Sequence, residues 1–277
     1  MNDILMQVRD LSYRYEDQTL ALDKVNLDIR RHERLAIMGS NGSGKSTLFL
    51  NLNGVYKPTS GQILYEGKPL DYSRKGLLQL RRNVGIVFQD PDNQLFCASV
   101  AGEISFGLYN LGLEEEEIRT RVNQVCDLSI TPFRTKPTHF LSGGQKKRVS
   151  IADILVMGPQ LLILDEPFSA LDPKHARMID DILEQLAQEG ITVVIATHNT
   201  DHAYRWADRV VLLNNAHILA QGSPEQIFSD HDLLSQANLE APQMLRVRDV
   251  LANQGLLSSD CFPKTPEQLA ELLGQKK

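Results

Sequence analysis

The sequence predicts a mixed α/β fold built on a parallel sheet, and three observations carry that prediction. Strand-sized, largely apolar runs recur along the chain as Leu35–Met38, Val84–Phe88, Leu161–Leu164 and Ile191–Ala196. Runs without polar alternation fit strands covered on both faces. Polar residues follow each run directly, at Gly39, Gln89, Asp165–Glu166 and Thr197–His198, and the C-terminal ends of such strands are where open α/β sheets bind ligands. The first run leads through Gly39-Ser40-Asn41-Gly42-Ser43-Gly44-Lys45-Ser46 into a helical stretch containing Leu48, Leu50 and Leu52.

In chain order, Val8 to Ile29 reads as two strands around a turn at Glu16-Asp17-Gln18, since apolar and polar residues alternate on either side. Gly61–Gly67 reads as another hairpin edge. From about 92 to 160 the pattern turns helical, with helices expected over Ser105–Leu111, Glu114–Leu128 and Gln145–Met157. In the last, Val149, Ile151, Ala152, Leu155 and Val156 crowd one side. Lys146, Lys147 and Arg148 then read as a solvated face rather than a nucleic-acid patch. Glu114–Glu117 is an acidic helix start, favoured by the helix dipole, and not a metal site. Pro173–Glu189 carries Met178, Ile179, Ile182, Leu183 and Leu186 at helical spacing, and Gly190 stops it. Val210–Leu213 and His217–Ala220 read as a hairpin. Ser223-Pro224-Glu225-Gln226 supplies an N-cap, a proline at the first helical position and a capping-box partner. Beyond Phe228 only two short helical patterns appear, Met244–Leu251 and Pro266–Leu273.

The glycine-rich segment fits G-x-x-x-x-G-K-[ST], whose backbone N–H groups cradle phosphates while its lysine reaches the β- and γ-phosphates. Its expected context, strand then loop then helix, is present. Ser46 is expected to ligate Mg²⁺ and Thr47 to lie near the α-phosphate. Asp165 would hold Mg²⁺ through water, and Glu166 would act as general base on the attacking water; the plainer reading, a capping pair before Pro167, weakens once the phosphate loop is in the same chain. Leu141-Ser142-Gly143-Gly144-Gln145 is a second piece with phosphate-binding chemistry, a hydroxyl and two glycines ahead of a helix. One nucleotide does not need two such pieces from one chain. The simplest arrangement has two chains closing over two ATP molecules, each contributing half of each site.

Composition narrows the class. The chain has 277 residues, is 42% hydrophobic and 23% charged, and carries a net charge of −6, which offers no global basic field for nucleic acid. No apolar run approaches the ~20 residues that span a bilayer. The N-terminal residues lack the basic start and long apolar stretch of a signal peptide. Cys97, Cys126 and Cys261 are odd in number and show no C-x-x-C spacing, so a cytosolic chain is expected rather than a disulfide framework.

These motifs, in this order, resemble the ABC-type ATPases. The resemblance implies their nucleotide-binding domain over residues 1–228: a RecA-like P-loop core, an antiparallel β subdomain and a helical signature subdomain at about 92–160. A helical extension, expected to stabilise a dimer, would occupy 229–277. It further implies that Tyr15, favoured over Tyr13 by its spacing to Lys45, stacks on adenine, and that Gln89 touches Mg²⁺ and the attacking water. Leu141–Gln145 would contact the γ-phosphate on the partner chain, Ser169-Ala170-Leu171-Asp172 would cross the dimer, and His198 would link the γ-phosphate to Glu166. His198 and His202 have zinc-like spacing, but Asn199 stands where the H-E-x-x-H pattern needs Glu, so His202 is expected on a helix surface.

Within that family, Gln89-Asp90-Pro91-Asp92-Asn93-Gln94-Leu95-Phe96 is similar to the energy-coupling-factor (ECF) importers, and Leu70–Leu78 to their cobalt/nickel branch. The resemblance implies a homodimeric ATPase on the cytoplasmic face of the membrane, working with an integral scaffold and a substrate-binding subunit and without nucleic acid. The alternatives are an ECF vitamin importer, a conventional ABC transporter, or a soluble ABC protein acting on ribosomes or DNA.

Overall fold

A computed structural model of the chain describes residues 3–126 and 129–274. β1 (Ile4–Arg14) and β2 (Leu20–Arg30) pair antiparallel. β3 (Arg34–Met38) opens a second sheet and runs into α1 (Lys45–Leu52). β4 (Ser60–Tyr65) returns to the other edge of β1, and β5 (Lys68–Pro69) completes a four-stranded sheet of order β2-β1-β4-β5. α2 (Arg74–Asn83) is a helix that the sequence pattern does not announce. Ser73 caps it by accepting the Gly76 N–H, and its short apolar stripe of Leu77 and Leu80 packs against the core beside the first sheet.

After β6 (Val84–Val87) comes a helical lobe of α3 (Val100–Asn110), α4 (Glu115–Cys126) and α5 (Gly143–Leu155). α3 starts more than a turn before the expected Ser105 because Ser99 caps it, accepting the Gly102 N–H. The expected end of α4 at Leu128 lies outside the described residues. Val100, Ile104 and Leu108 meet Ile118, Val122, Val149 and Ala152 in a core belonging to the lobe.

The chain then gives β7 (Leu161–Asp165), α6 (Pro173–Gln188), β8 (Thr192–Ala196), α7 (Thr200–Trp206), β9 (Arg209–Asn214) and β10 (His217–Gly222). The second sheet has the order β10-β9-β3-β8-β7-β6 and is parallel except for β10. Every residue of β6, β7 and β8 is buried, as the apolar runs require. Alternation decides which layer each side chain joins. Leu35 and Ile37 of β3 pack with Leu48, Phe49 and the first sheet, whereas Ala36 and Met38 pack with Ile179, Leu183 and Tyr204 of α6 and α7.

Four helices close the chain: α8 (Pro224–Phe228), α9 (His231–Gln236), α10 (Gln243–Asn253) and α11 (Pro266–Gly274). α8 begins with the expected capping box between Ser223 and Gln226. Leu234, Ala237 and Leu245 join the same core as α6 and α7. Among the described residues, no helix is long and apolar enough to cross a membrane.

Two sequence expectations are overturned. Lys147 and Arg148 are buried, not solvated. α5 lies between its own lobe and the edge of the parallel sheet, so both sides of the helix are covered. The Arg148 guanidinium lies over the Phe133 ring and donates to Ser129 O at 2.9 Å. His202 is likewise buried rather than on a helix surface. α6 crosses behind α7 and presents Asp180, 2.9 Å from His202 Nε2, while the Phe168 ring packs against the imidazole.

Candidate nucleotide-binding site

β3 ends at a loop that only glycine can thread at two points. Gly39 has φ +150 and a Cβ there would stand 2.0 Å from Leu213 O; Gly44 has φ +110 and its Cβ would stand 2.5 Å from Ala21 O. Gly44 is also the N-cap of α1, so the first N–H groups of that helix and its dipole are directed at the loop, an arrangement that favours anions. The Lys45 ammonium donates to Gly39 O at 2.8 Å and Ser40 O at 2.9 Å. Burial pushes its pKa down, while Glu166 and Asp165 push it up. Ser46 Oγ donates to Asp165 Oδ2 at 2.5 Å across the loop–β7 gap. Thr47 Oγ1 lies 2.6 Å from the Tyr15 hydroxyl.

β7 carries Asp165 to the C-terminal edge of the sheet, and Glu166 follows with a left-handed backbone, φ +43. For glutamate this conformation is costly, and such strain concentrates at functional sites. The surroundings enforce it: Glu166 N donates to Ala196 O at 3.1 Å, and Ser169 N donates to Glu166 O. The Glu166 carboxylate is nearly buried and lies 3.0 Å from His198 Nδ1, whose imidazole is 73% exposed. β8 delivers His198, and Asn199 caps α7 beyond it by accepting the His202 N–H.

These groups share one cleft of about 1030 Å³, lined by Tyr15, Gly39–Gly42, Gly44–Thr47, Gln89, Asp165, Glu166 and His198. Ser43 turns inward and is buried. Tyr13 stacks face to face on Tyr56 at 4.8 Å, whereas Tyr15 meets both only edge to face. The Tyr15 ring lines the cleft. Two hard oxygen donors in contact, Ser46 and Asp165, with the Gln89 amide on the same cleft, fit Mg²⁺, which takes oxygen ligands and retains water.

Among the described residues that line this cleft, none comes from Leu141–Gln145 or Ser169–Asp172. Those two segments meet elsewhere. Gly143 and Ser169–Leu171 border a neighbouring groove of about 460 Å³ that reaches Gln89 and Asp92. Ser142 caps α5 in a full capping box with Gln145, accepting one N–H with its oxygen and so leaving its own O–H to donate. A Cβ on Gly144 would stand 2.5 Å from the His175 ring, and His175 Nδ1 lies 2.7 Å from Asp172 Oδ2. His175 thus links the two segments, a role that nothing in the sequence pattern signals.

Sequence reasoning also misses Asn238 and Leu239, which follow α9 and line the nucleotide cleft beside His198. The only trace they leave is the tolerance of asparagine for left-handed backbone, which Asn238 adopts at φ +56.

Comparison with known proteins places these features in a family. The sequence profile described as "ABC transporter" matches residues 22–169. The energy-coupling factor transporter ATP-binding protein EcfA2 of Clostridium perfringens is 47% identical over 253 residues, covering 91% of this chain and 89% of that protein. The solved structure of cbiO1 from Clostridium perfringens, described as part of the ABC transporter complex cbiONQ, is similar with a TM-score of 0.76 and 46% identity, covering 90% of this chain and 99% of that one. A dimeric ATP-binding cassette in a post-hydrolysis state bound to ADP and Pi is similar with a TM-score of 0.73 and 29% identity, covering 79% of this chain and 99% of that one.

Proposed function

Because this chain belongs to the ABC transporter ATPases of the energy-coupling-factor type, in which ATP hydrolysis is coupled to transport, we propose that it works as a symmetric homodimer on the cytoplasmic face of a membrane and powers cobalt or nickel uptake. The observation that carries the dimeric mechanism is the separation of the two phosphate-binding pieces. The P-loop faces the cleft with Gln89, Asp165, Glu166 and His198, while Ser142 and Gly143 are not among the residues lining it. ATP sits on Gly39–Thr47 of one chain, and Leu141–Gln145 of the other closes over the γ-phosphate. Ser169–Asp172 crosses between the chains.

In the mechanism, the backbone N–H groups of the loop and of α1 hold the β- and γ-phosphates, and Lys45 leaves the Gly39 and Ser40 carbonyls to reach them. Ser46, Asp165 and Gln89 would hold Mg²⁺, which supplies charge neutralisation on the phosphates. Glu166 takes the proton of the attacking water, and His198, 3.0 Å from it, orients that carboxylate toward the γ-phosphate. Hydrolysis is a phosphoryl transfer in which positioning and charge stabilisation dominate. Tyr15 stacks on adenine. Replacing it with Ala is expected to raise KM for ATP roughly tenfold with little change in kcat, since stacking is worth about 1–3 kcal/mol per base; an unchanged KM would remove Tyr15 from the site.

A membrane partner is supported by exposed aromatics just past the Gln89 loop. Phe96 is 66% exposed and Tyr109 58% exposed, and Phe96 meets Phe106 edge to face at 4.8 Å. The cobalt/nickel cargo rests on the resemblance of Leu70–Leu78 and of the Gln89–Phe96 segment, together with the cbiONQ description of the structural neighbour; the EcfA relatives fit a vitamin cargo equally. A mild-detergent pull-down of the chain from its native membranes decides. Co-purification of an integral scaffold with a small histidine-bearing, metal-binding membrane protein supports cobalt or nickel. A vitamin-binding subunit keeps the mechanism and overturns the cargo, and ribosomes or DNA overturn the transport role.

A further inference from the structure

Lys147 is a cation that the mechanism above does not use. It lies one turn into α5, the helix that begins at Ser142, and is 1% exposed. Its ammonium donates to Phe88 O at 3.0 Å and to Gln89 O at 2.6 Å. A second side chain ties the same two elements from the other direction. Gln94 Oε1 accepts the Phe88 N–H at 3.3 Å, and Gln94 Nε2 donates to Ser150 O at 2.9 Å and to Asp153 Oδ2 at 3.3 Å. The residue that presents Gln89 to the nucleotide cleft is thus stapled through its main chain to the helix whose start carries Ser142.

We infer that Lys147 is a positioning residue for hydrolysis, fixing Gln89 at the nucleotide cleft according to where α5 stands. A buried ammonium with two carbonyl acceptors is a stiff tie, because either carbonyl released without it is left unpaired in a covered site. Any displacement of α5 toward a partner's ATP would therefore be carried by Lys147 to Gln89 of its own chain. The inference rests on the dimeric reading given above. The ammonium also lies in the field of Asp165, Asp90 and Glu166, which favour its charge against a burial that brings its pKa to about 8. A direct effect on the carboxylates is therefore the competing explanation.

A double-mutant cycle on the full chain separates the two. Lys147→Met keeps the bulk of the stem and removes the donor; Lys147→Gln keeps an amide donor. Lys147→Met is expected to lower kcat by up to about a hundredfold, as misplacement of a positioned group does, with KM for ATP unchanged and partial recovery in Lys147→Gln. Combined with Gln89→Ala, it should add no further loss, because residues acting as a unit are not additive. Full additivity of the two changes overturns the inference, as does an unaltered kcat in Lys147→Met. If Lys147→Met does not fold, Lys147→Gln carries the same cycle. Wild-type specific activity that does not depend on protein concentration would instead fault the dimeric reading on which the inference rests.

Discussion

Glu166→Gln is expected to lower kcat about a thousandfold, the middle of the range for removing a general base, while ATP still binds. The substitution preserves shape in a place where shape is constrained. Glu166 sits at φ +43, its N–H held by Ala196 O, and an amide of the same size leaves that backbone and the contact with His198 in place. What disappears is the ability to take a proton from water. If closure depends on ATP and opening on its hydrolysis, as the proposed dimer requires, the variant should retain ATP in a closed dimer through gel filtration. Normal turnover in Glu166→Gln would remove this residue from the mechanism.

Lys45→Ala acts one step earlier and should abolish tight Mg-ATP binding. The ammonium donates to Gly39 O and Ser40 O, and binding ATP exchanges those carbonyls for phosphate oxygens. Hydrogen bonds to charged groups are worth about 1.5–3 kcal/mol, and losing them should weaken ATP affinity by about a hundredfold or more, measured by nucleotide titration. Lys45 packs against loop carbonyls rather than the apolar core, so the melting temperature without nucleotide should fall far less than that of a core truncation. Retained affinity would contradict the P-loop assignment.

The parts legible in the sequence are those whose physics is local. Strand-sized apolar runs identify β3, β6, β7 and β8 because both faces of those strands are buried. Gly39 and Gly44 show because the loop tolerates nothing else, and Ser223 and Gln226 show because a capping box is written in four consecutive residues. What stayed hidden depends on distant segments meeting. Lys147 reads as a surface cation until the Phe88 and Gln89 carbonyls are brought to it. His202 reads as exposed until α6 sets Asp180 against it. Asn238 and Leu239 reach the nucleotide cleft only because α9 folds back on the same core as α7. α2 goes unread for a different reason: its core-facing stripe is Leu77 and Leu80 alone, within a ten-residue and mostly polar helix, too short a period to set apart from a loop.

The claim on which the account rests is that each ATP site draws its P-loop from one chain and Leu141–Gln145 from the other. Two mixed dimers, each assembled from differently tagged chains and purified through both tags, test it by ATPase activity. The first pairs Lys45→Ala with Ser142→Arg on separate chains; the second pairs a chain carrying both substitutions with an unaltered one. Shared sites predict hydrolysis in the first, which keeps one intact P-loop facing one intact Ser142, and none in the second, where both sites are broken. Activity in the second pair and not in the first would place each site within a single chain and contradict the account.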